Sequence, residues 1–137
     1  MISICDTGPL VAYLNRRDPH HPWAVALMKQ VIAPMLTSEP VLTEAAYFLR
    51  EDALPVDPLF ELLERGLLRV DFDLEAHWPR VRTLMARYQR MDLADASIVV
   101  MSEAHRRCQV LTVDRRDFSV YRRNDRQVID FVAPPRP

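Results

Sequence analysis

The chain has 137 residues, 49 % of them hydrophobic and 27 % charged, with a formal net charge of −1. That length suits one compact domain with a sizeable core, and the composition excludes a disordered or low-complexity chain. No apolar run approaches the roughly 18 residues of a membrane span, and Asp6 follows Met1 too closely for a signal peptide, so the expectation is a cytoplasmic protein.

Ile2 to Cys5 reads as a first strand, because β-branched and apolar residues run up to the polar break Asp6-Thr7-Gly8-Pro9. A helix from about Pro9 to Leu14 follows, then a loop over Asn15 to Pro22. Trp23, Ala24, Leu27 and Met28 carry helical spacing through Gln30. Val31 to Leu36 is the second strand, although Pro34 argues against a central position. Thr37 or Ser38 caps a helix over Val41 to about Arg50, with Pro40 tolerated in its first turn. Asp57 to Arg65 forms a short helix that Gly66 stops, and Leu67 to Phe72 is the third strand. Glu75 to Arg90 is helical, with Pro79 near its start. Asp92 then caps a mostly apolar helix reaching about Arg106, with Asp95 at its third position. Val110 to Val113 and Val128 to Val132 are the fourth and fifth strands, separated by a turn, and Pro134, Pro135 and Pro137 mark an extended tail.

This alternation predicts an α/β fold in three layers, a mostly parallel five-stranded sheet with helices on both faces. Residues 1–133 read as a single domain and 134–137 as a short proline-rich tail.

Charge is unevenly spread. Six basic and twelve acidic residues precede position 76, whereas twelve basic and seven acidic residues follow from there. Lys29 is the one lysine among 18 basic residues. Arginine's planar fork suits phosphate oxygens, and a GC-rich genome gives the same bias without any function. Cys5 and Cys108 lack metal-ligand spacing and read as buried free thiols.

The stretch Cys5-Asp6-Thr7-Gly8 admits two chemistries. Asp-Thr-Gly could be half of an aspartic protease dyad, two carboxylates sharing a proton. Two glycines in the whole chain and a helix-rich pattern fit that β-built fold badly. In the other reading Asp6 is one of several carboxylates at the carboxyl edge of a parallel sheet, where α/β folds open their sites. Asp114, just past the fourth strand, emerges at the same edge. Asp95, at the start of the helix before the fourth strand, projects from it only if that helix crosses the top of the sheet. Glu44 sits in an otherwise apolar helix, where a carboxylate is costly unless paired or metal-bound. Converging acids repel unless cations neutralise them, and an all-oxygen donor set points to Mg²⁺ or Mn²⁺. Such an ion activates water for in-line attack on a phosphodiester. His20, His21, His77 and His105 match no zinc spacing, and no side chain reads as a covalent nucleophile beside a base.

Four segments together resemble the PIN-domain ribonucleases, most closely the small toxins of the virulence-associated toxin–antitoxin pairs. They are C-D-T-G-P-L-V-A-Y-L from Cys5, S-E-P-V-L-T-E-A-A-Y-F-L from Ser38, M-D-L-A-D-A-S-I-V from Met91 and V-L-T-V-D-R-R-D-F from Val110. The resemblance implies Asp6, Glu44 and Asp95 as the principal acids and Asp114 as the fourth, both catalytic and metal-holding. Asp117 would assist or orient Arg115 or Arg116, Asp92 would cap its helix, and Thr7 and Thr112 would steady the acids. It further implies sequence-selective cleavage of RNA, dimerisation, and inhibition by a small antitoxin. The partner surfaces would lie near Leu10 to Leu14 and Pro55 to Leu63, on exposed leucines and phenylalanine. Arg80, Arg87, Arg90, Arg115 and Arg116 are the candidate phosphate contacts, and Trp78 and Tyr88 could stack on bases. The alternatives are a PIN-type RNA-processing nuclease outside a toxin pair and a non-catalytic nucleic-acid or protein binding module.

Overall fold

The computed structural model describes residues 1–136; Pro137, the end of the expected proline-rich tail, lies outside the described residues. Five strands form one sheet in the order β3-β2-β1-β4-β7: β1 (Ile2–Cys5), β2 (Met35–Thr37), β3 (Leu68–Val70), β4 (Cys108–Leu111) and β7 (Phe131–Val132). All four pairings are parallel, with Ile4 opposite Leu36 on one side and Val110 on the other. Helices flank the sheet, giving the three-layer PIN-like α/β/α architecture. After β1 the chain moves outward through β2 and β3, then returns to place β4 on the other side of β1. The order therefore switches between β1 and β4, the place where open α/β sheets form a crevice beyond the strands' carboxyl ends.

The core explains the helices. α6 (Leu93–Ala104) is buried along almost its whole length, including Ile98, Val99, Val100 and Met101, and packs on β1 and β4. α5 (Leu74–Arg87) covers α6, while α1 (Thr7–Leu14) packs against α2 (His21–Gln30) and α3 (Glu39–Glu51). Ser38 caps α3 by accepting from Val41 N, and its hydroxyl meets that of Ser97 at 2.7 Å, locking α3 to α6. α4 (Asp57–Glu64) ends at Gly66, whose φ of +71° suits glycine. Both cysteines are free and buried, as expected.

Several boundaries differ from expectation, each for a local reason. Pro34 has no N–H to offer, and β2 begins only at Met35 rather than Val31. α5 stops at Arg87, because Tyr88 is extended and a new cap begins at Asp92; Pro79 lies more than a turn inside it. The turn expected after the fourth strand is a helix, α7 (Arg115–Val120), capped by Asp114. The expected strand over Val128 to Val132 divides in two. Gln127–Val128 (β6) pairs antiparallel with Arg122–Arg123 (β5) through a turn at Asn124 and Asp125, both at positive φ, and only Phe131–Val132 joins the main sheet. Among the described residues no helix is long and apolar enough to cross a membrane.

Candidate active site

Asp6 ends β1 and caps α1, so its backbone is fixed by the sheet and its side chain by the helix start. Oδ1 accepts from Thr7 N at 2.8 Å and Oδ2 from the Thr112 hydroxyl at 2.7 Å. The same Thr112 oxygen accepts from Asp114 N at 3.0 Å, so one buried hydroxyl ties the acid after β1 to the acid after β4. Gly8 follows because nothing larger fits: a methyl group there would overlap the side chain of Val113.

The acids from the helices meet at this edge. Asp92 and Asp95 form a reciprocal cap at the start of α6, Asp95 N donating to Asp92 Oδ1 at 2.8 Å. Asp95 Oδ2 also accepts from the Tyr121 phenol at 2.9 Å. Asp114 Oδ1 accepts from Asp117 N, and Asp117 Oδ1 accepts from Arg90 Nε, both at 2.9 Å. Asp6, Glu44, Asp92, Asp95, Asp114 and Asp117 all line one cavity of about 480 Å³ beyond the sheet's carboxyl edge. The start of helix α6 thus brings Asp92 and Asp95 to the same cavity as Asp6 and Asp114.

Crowding this many acids together moves their protonation. Burial, joined by repulsion from Glu44 and Asp92, pushes Asp6 up to about 6 even though Thr112 and Thr7 hydrogen-bond its charged form. Burial and then the nearby Asp92 carboxylate push Asp95 up to about 7, against the hydrogen bond from Tyr121. Asp114 and Asp117 diverge. Burial raises Asp114, whereas for Asp117 the burial effect is outweighed by the Arg90 guanidinium and the Asp114 contact, leaving it low. The Cys5 thiol is driven far up by burial, which removes it as a thiolate nucleophile.

Among the described residues no three His, Cys, Asp or Glu side chains already close around one point as a metal-ligand set. The donor chemistry nonetheless fits a hard divalent cation, since the cavity offers carboxylate oxygens from four separate segments. The buried Thr7 hydroxyl beside Asp6 also has no protein hydrogen-bond partner. No protein-family model matches the chain. It is 30 % identical over 125 residues to Ribonuclease VapC26 of Mycobacterium tuberculosis (strain ATCC 25618 / H37Rv), covering 87 % of this chain and 91 % of that protein. The chain belongs to the PIN-domain VapC family. Membership of the VapC family supports a nuclease-type hydrolase at the level of general function.

The other expected residues of this VapC-family chain are dispersed. Arg90 faces the cavity, but Arg80 is bidentate on Glu103 and also reaches Asp125, which Arg87 shares. Arg115 donates to Pro134 O and lies over the Phe131 ring, while Arg116 is exposed. Trp78 is exposed and Tyr88 is half-buried against Tyr121. The expected exposed leucines are a correction: Leu10, Leu59 and Leu62 are buried in the core, and Phe60 is the one side chain of Pro55 to Leu63 that stands out as a large exposed apolar group. The exposed apolar surface near the site is instead a groove of about 910 Å³ lined by exposed Tyr47, Phe48 and Leu74 together with the buried Phe72, and it joins the acidic cavity at Glu44, Phe48 and Asp92. Sequence reasoning missed Tyr121, and it missed Asp18, His20 and Asp52 as lining residues. No spacing marks them, because they arrive from a loop and from helix ends.

Proposed function

We propose that this chain is a divalent-metal-dependent endoribonuclease acting as the toxin of a toxin–antitoxin pair. The observation that carries the reading is the gathering of carboxylates from the ends of β1 and β4 and from α3 and α6 into one cavity, in a chain of the VapC family. Asp6, Asp95 and Asp114, with Glu44, would hold Mg²⁺ or Mn²⁺, which supplies an activated water and a Lewis acid for phosphodiester hydrolysis. Thr112 and Thr7 N fix the Asp6 carboxylate, so that little reorganisation remains when a phosphate arrives. Thr7 adds a buried hydroxyl beside Asp6, and Asp117 steadies Asp114 through its backbone N–H. Arg90, anchored on Asp117 yet largely exposed, contacts an RNA phosphate and positions it without reading sequence. Arg116, exposed on the short helix behind Asp114, extends that phosphate track, and Arg115 joins it only by leaving Pro134 O and the Phe131 ring.

The apolar groove supports the antitoxin part of the reading. Its rim carries Glu39, Asp73, Glu75 and Asp92, and among the described residues no lysine or arginine lines it. A small partner with a basic, amphipathic segment complements it, and an arginine of that segment could reach the acidic cavity next door. Homodimerisation belongs to the same proposal and is read out by light scattering.

The test uses purified, partner-free protein and structured RNA with Mn²⁺ or Mg²⁺, sequencing the 5′ ends of the products. Wild type cleaves, EDTA abolishes cleavage, and Asp6→Asn or Asp95→Asn lowers the rate by at least about 100-fold, the size expected when an electrostatic catalytic group is removed. Cleavage that survives both substitutions, or that EDTA leaves intact, overturns the proposal.

A further inference from the structure

Helix α7 stands where a turn was expected; its first cap lines the acidic cavity and its last reaches a residue that does. Asp114 caps its start and Tyr121 caps its end. Tyr121 is 2 % exposed, and its ring makes edge-to-face contacts with Phe118 and Tyr88, each with centroids 5.2 Å apart. A ring held this way has little freedom to rotate, so the direction of its hydroxyl is set by packing. That hydroxyl has one acceptor, Asp95 Oδ2 at 2.9 Å. The neighbouring Asp92 N reaches the same oxygen at 3.4 Å, and among the described residues Asp95 Oδ1 has no protein partner. One carboxylate oxygen is therefore held, and the other makes no protein hydrogen bond, on a residue that lines the cavity.

We propose that Tyr121 is a positioning residue for the reaction, turning Asp95 so that its free oxygen is presented to the divalent cation. The inference rests on the nuclease reading above and adds to it the residue that orients one ligand. Partners that orient metal ligands in this way commonly change metal affinity by about 10–100-fold when removed. The phenol also ties the acid carried by α6 to the helix that carries Asp114 and Asp117. Motion of α7 would otherwise change the spacing between those acids.

The experiment measures Mn²⁺ affinity in the absence of RNA, following free Mn²⁺ by electron paramagnetic resonance. The proteins are wild type, Tyr121→Phe, Asp95→Asn and the double variant, with amide spectra confirming the fold of each. Tyr121→Phe keeps the ring and removes only the donor. The expected result is about tenfold weaker Mn²⁺ binding for Tyr121→Phe and no further loss when it is added to Asp95→Asn, because the phenol acts through that carboxylate. Equal affinity in wild type and Tyr121→Phe overturns the proposal while leaving the nuclease reading intact. So does an equal loss in both backgrounds, which reports general packing, and so does a Tyr121→Phe protein that does not fold. A wild type that binds no Mn²⁺, with Asp95→Asn indistinguishable from it, overturns the nuclease reading and this inference together.

Discussion

Thr112 is fully buried and makes two hydrogen bonds of opposite sense, donating to Asp6 Oδ2 and accepting from Asp114 N. Replacing it with valine keeps the shape but strands a carboxylate oxygen and a backbone donor in a site where water has little access. Leaving such groups unpaired costs about 1–3 kcal/mol. Thr112→Val is therefore expected to lose that much stability in urea titrations and, under the proposed function, to slow RNA cleavage by about tenfold or more, the loss of one positioned hydrogen bond to a proposed catalytic acid. Retention of full activity would mean that Asp6 is oriented by Thr7 N alone. The residue scale also accounts for Gly8, which was visible in the sequence only as half of a turn signal. Its reason is a neighbour more than a hundred positions away, Val113, whose side chain occupies the space that any Cβ would need.

At the scale of elements, two helices end in the same way on different residues. After α4 the Gly66 and Leu67 N–H groups bond back to the Leu63 and Leu62 carbonyls. After α3 the Ala53 and Leu54 N–H groups bond to those of Arg50 and Leu49. Both are the paired closure that needs a left-handed residue, yet one uses glycine and the other holds Ala53 at a φ of +56°. Alanine there carries about 1 kcal/mol of steric cost that glycine avoids. Ala53→Gly should raise stability by a few tenths up to about 1 kcal/mol, the relieved strain less glycine's greater chain entropy, seen as a higher urea midpoint with an unchanged slope. The same two sites show what a local sequence can announce. Gly66 marked its helix end plainly, while Ala53 gave no sign. Likewise the Asp92 cap was legible from its position before an apolar run, but α7 has only six residues, too few for periodicity, and only the Asp114-to-Asp117 spacing hints at it.

Across the whole molecule the acidic cavity makes stability depend on pH in an unusual direction. Asp6 and Asp95 titrate near 6 and 7 in the fold, against 3.8 for an ordinary aspartate. Between about pH 4 and pH 7 the folded state therefore holds more protons than the unfolded one, and stability falls as pH rises. Each unit of separation is worth about 1.4 kcal/mol, so Asp6 alone contributes on the order of 3 kcal/mol, with a discount for the partly exposed Asp95. Asp117 and Asp125 have the opposite sign: their arginine partners hold them low, and their contribution is lost as pH falls below about 4. Metal-free protein is thus expected to resist urea better near about pH 5 than near about pH 7.5, and excess Mn²⁺ to recover the loss at the higher pH, because deprotonated carboxylates bind the ion. A urea midpoint that rises steadily across that window would contradict the cavity's electrostatics.

The sequence by itself determined the alternation of strands and helices, the caps of the helices carrying Glu44 and Asp95, and the family, because these depend on residue types within a few positions of one another. The edge where Asp6 and Asp114 emerge followed from general rules of parallel sheets, whereas the order of strands around β1 came from the structure. Tertiary structure alone decided which oxygens of those acids are held and which are free. Thr112 reaches Asp6 across 106 positions, Arg90 reaches Asp117 across 27 and Tyr121 reaches Asp95 across 26. It also bound Arg80 to Glu103 and Asp125 rather than leaving it free for phosphate. Hydrogen bonds of this kind form or fail over a fraction of an ångström. The packing of distant elements sets such distances, and no local pattern encodes them.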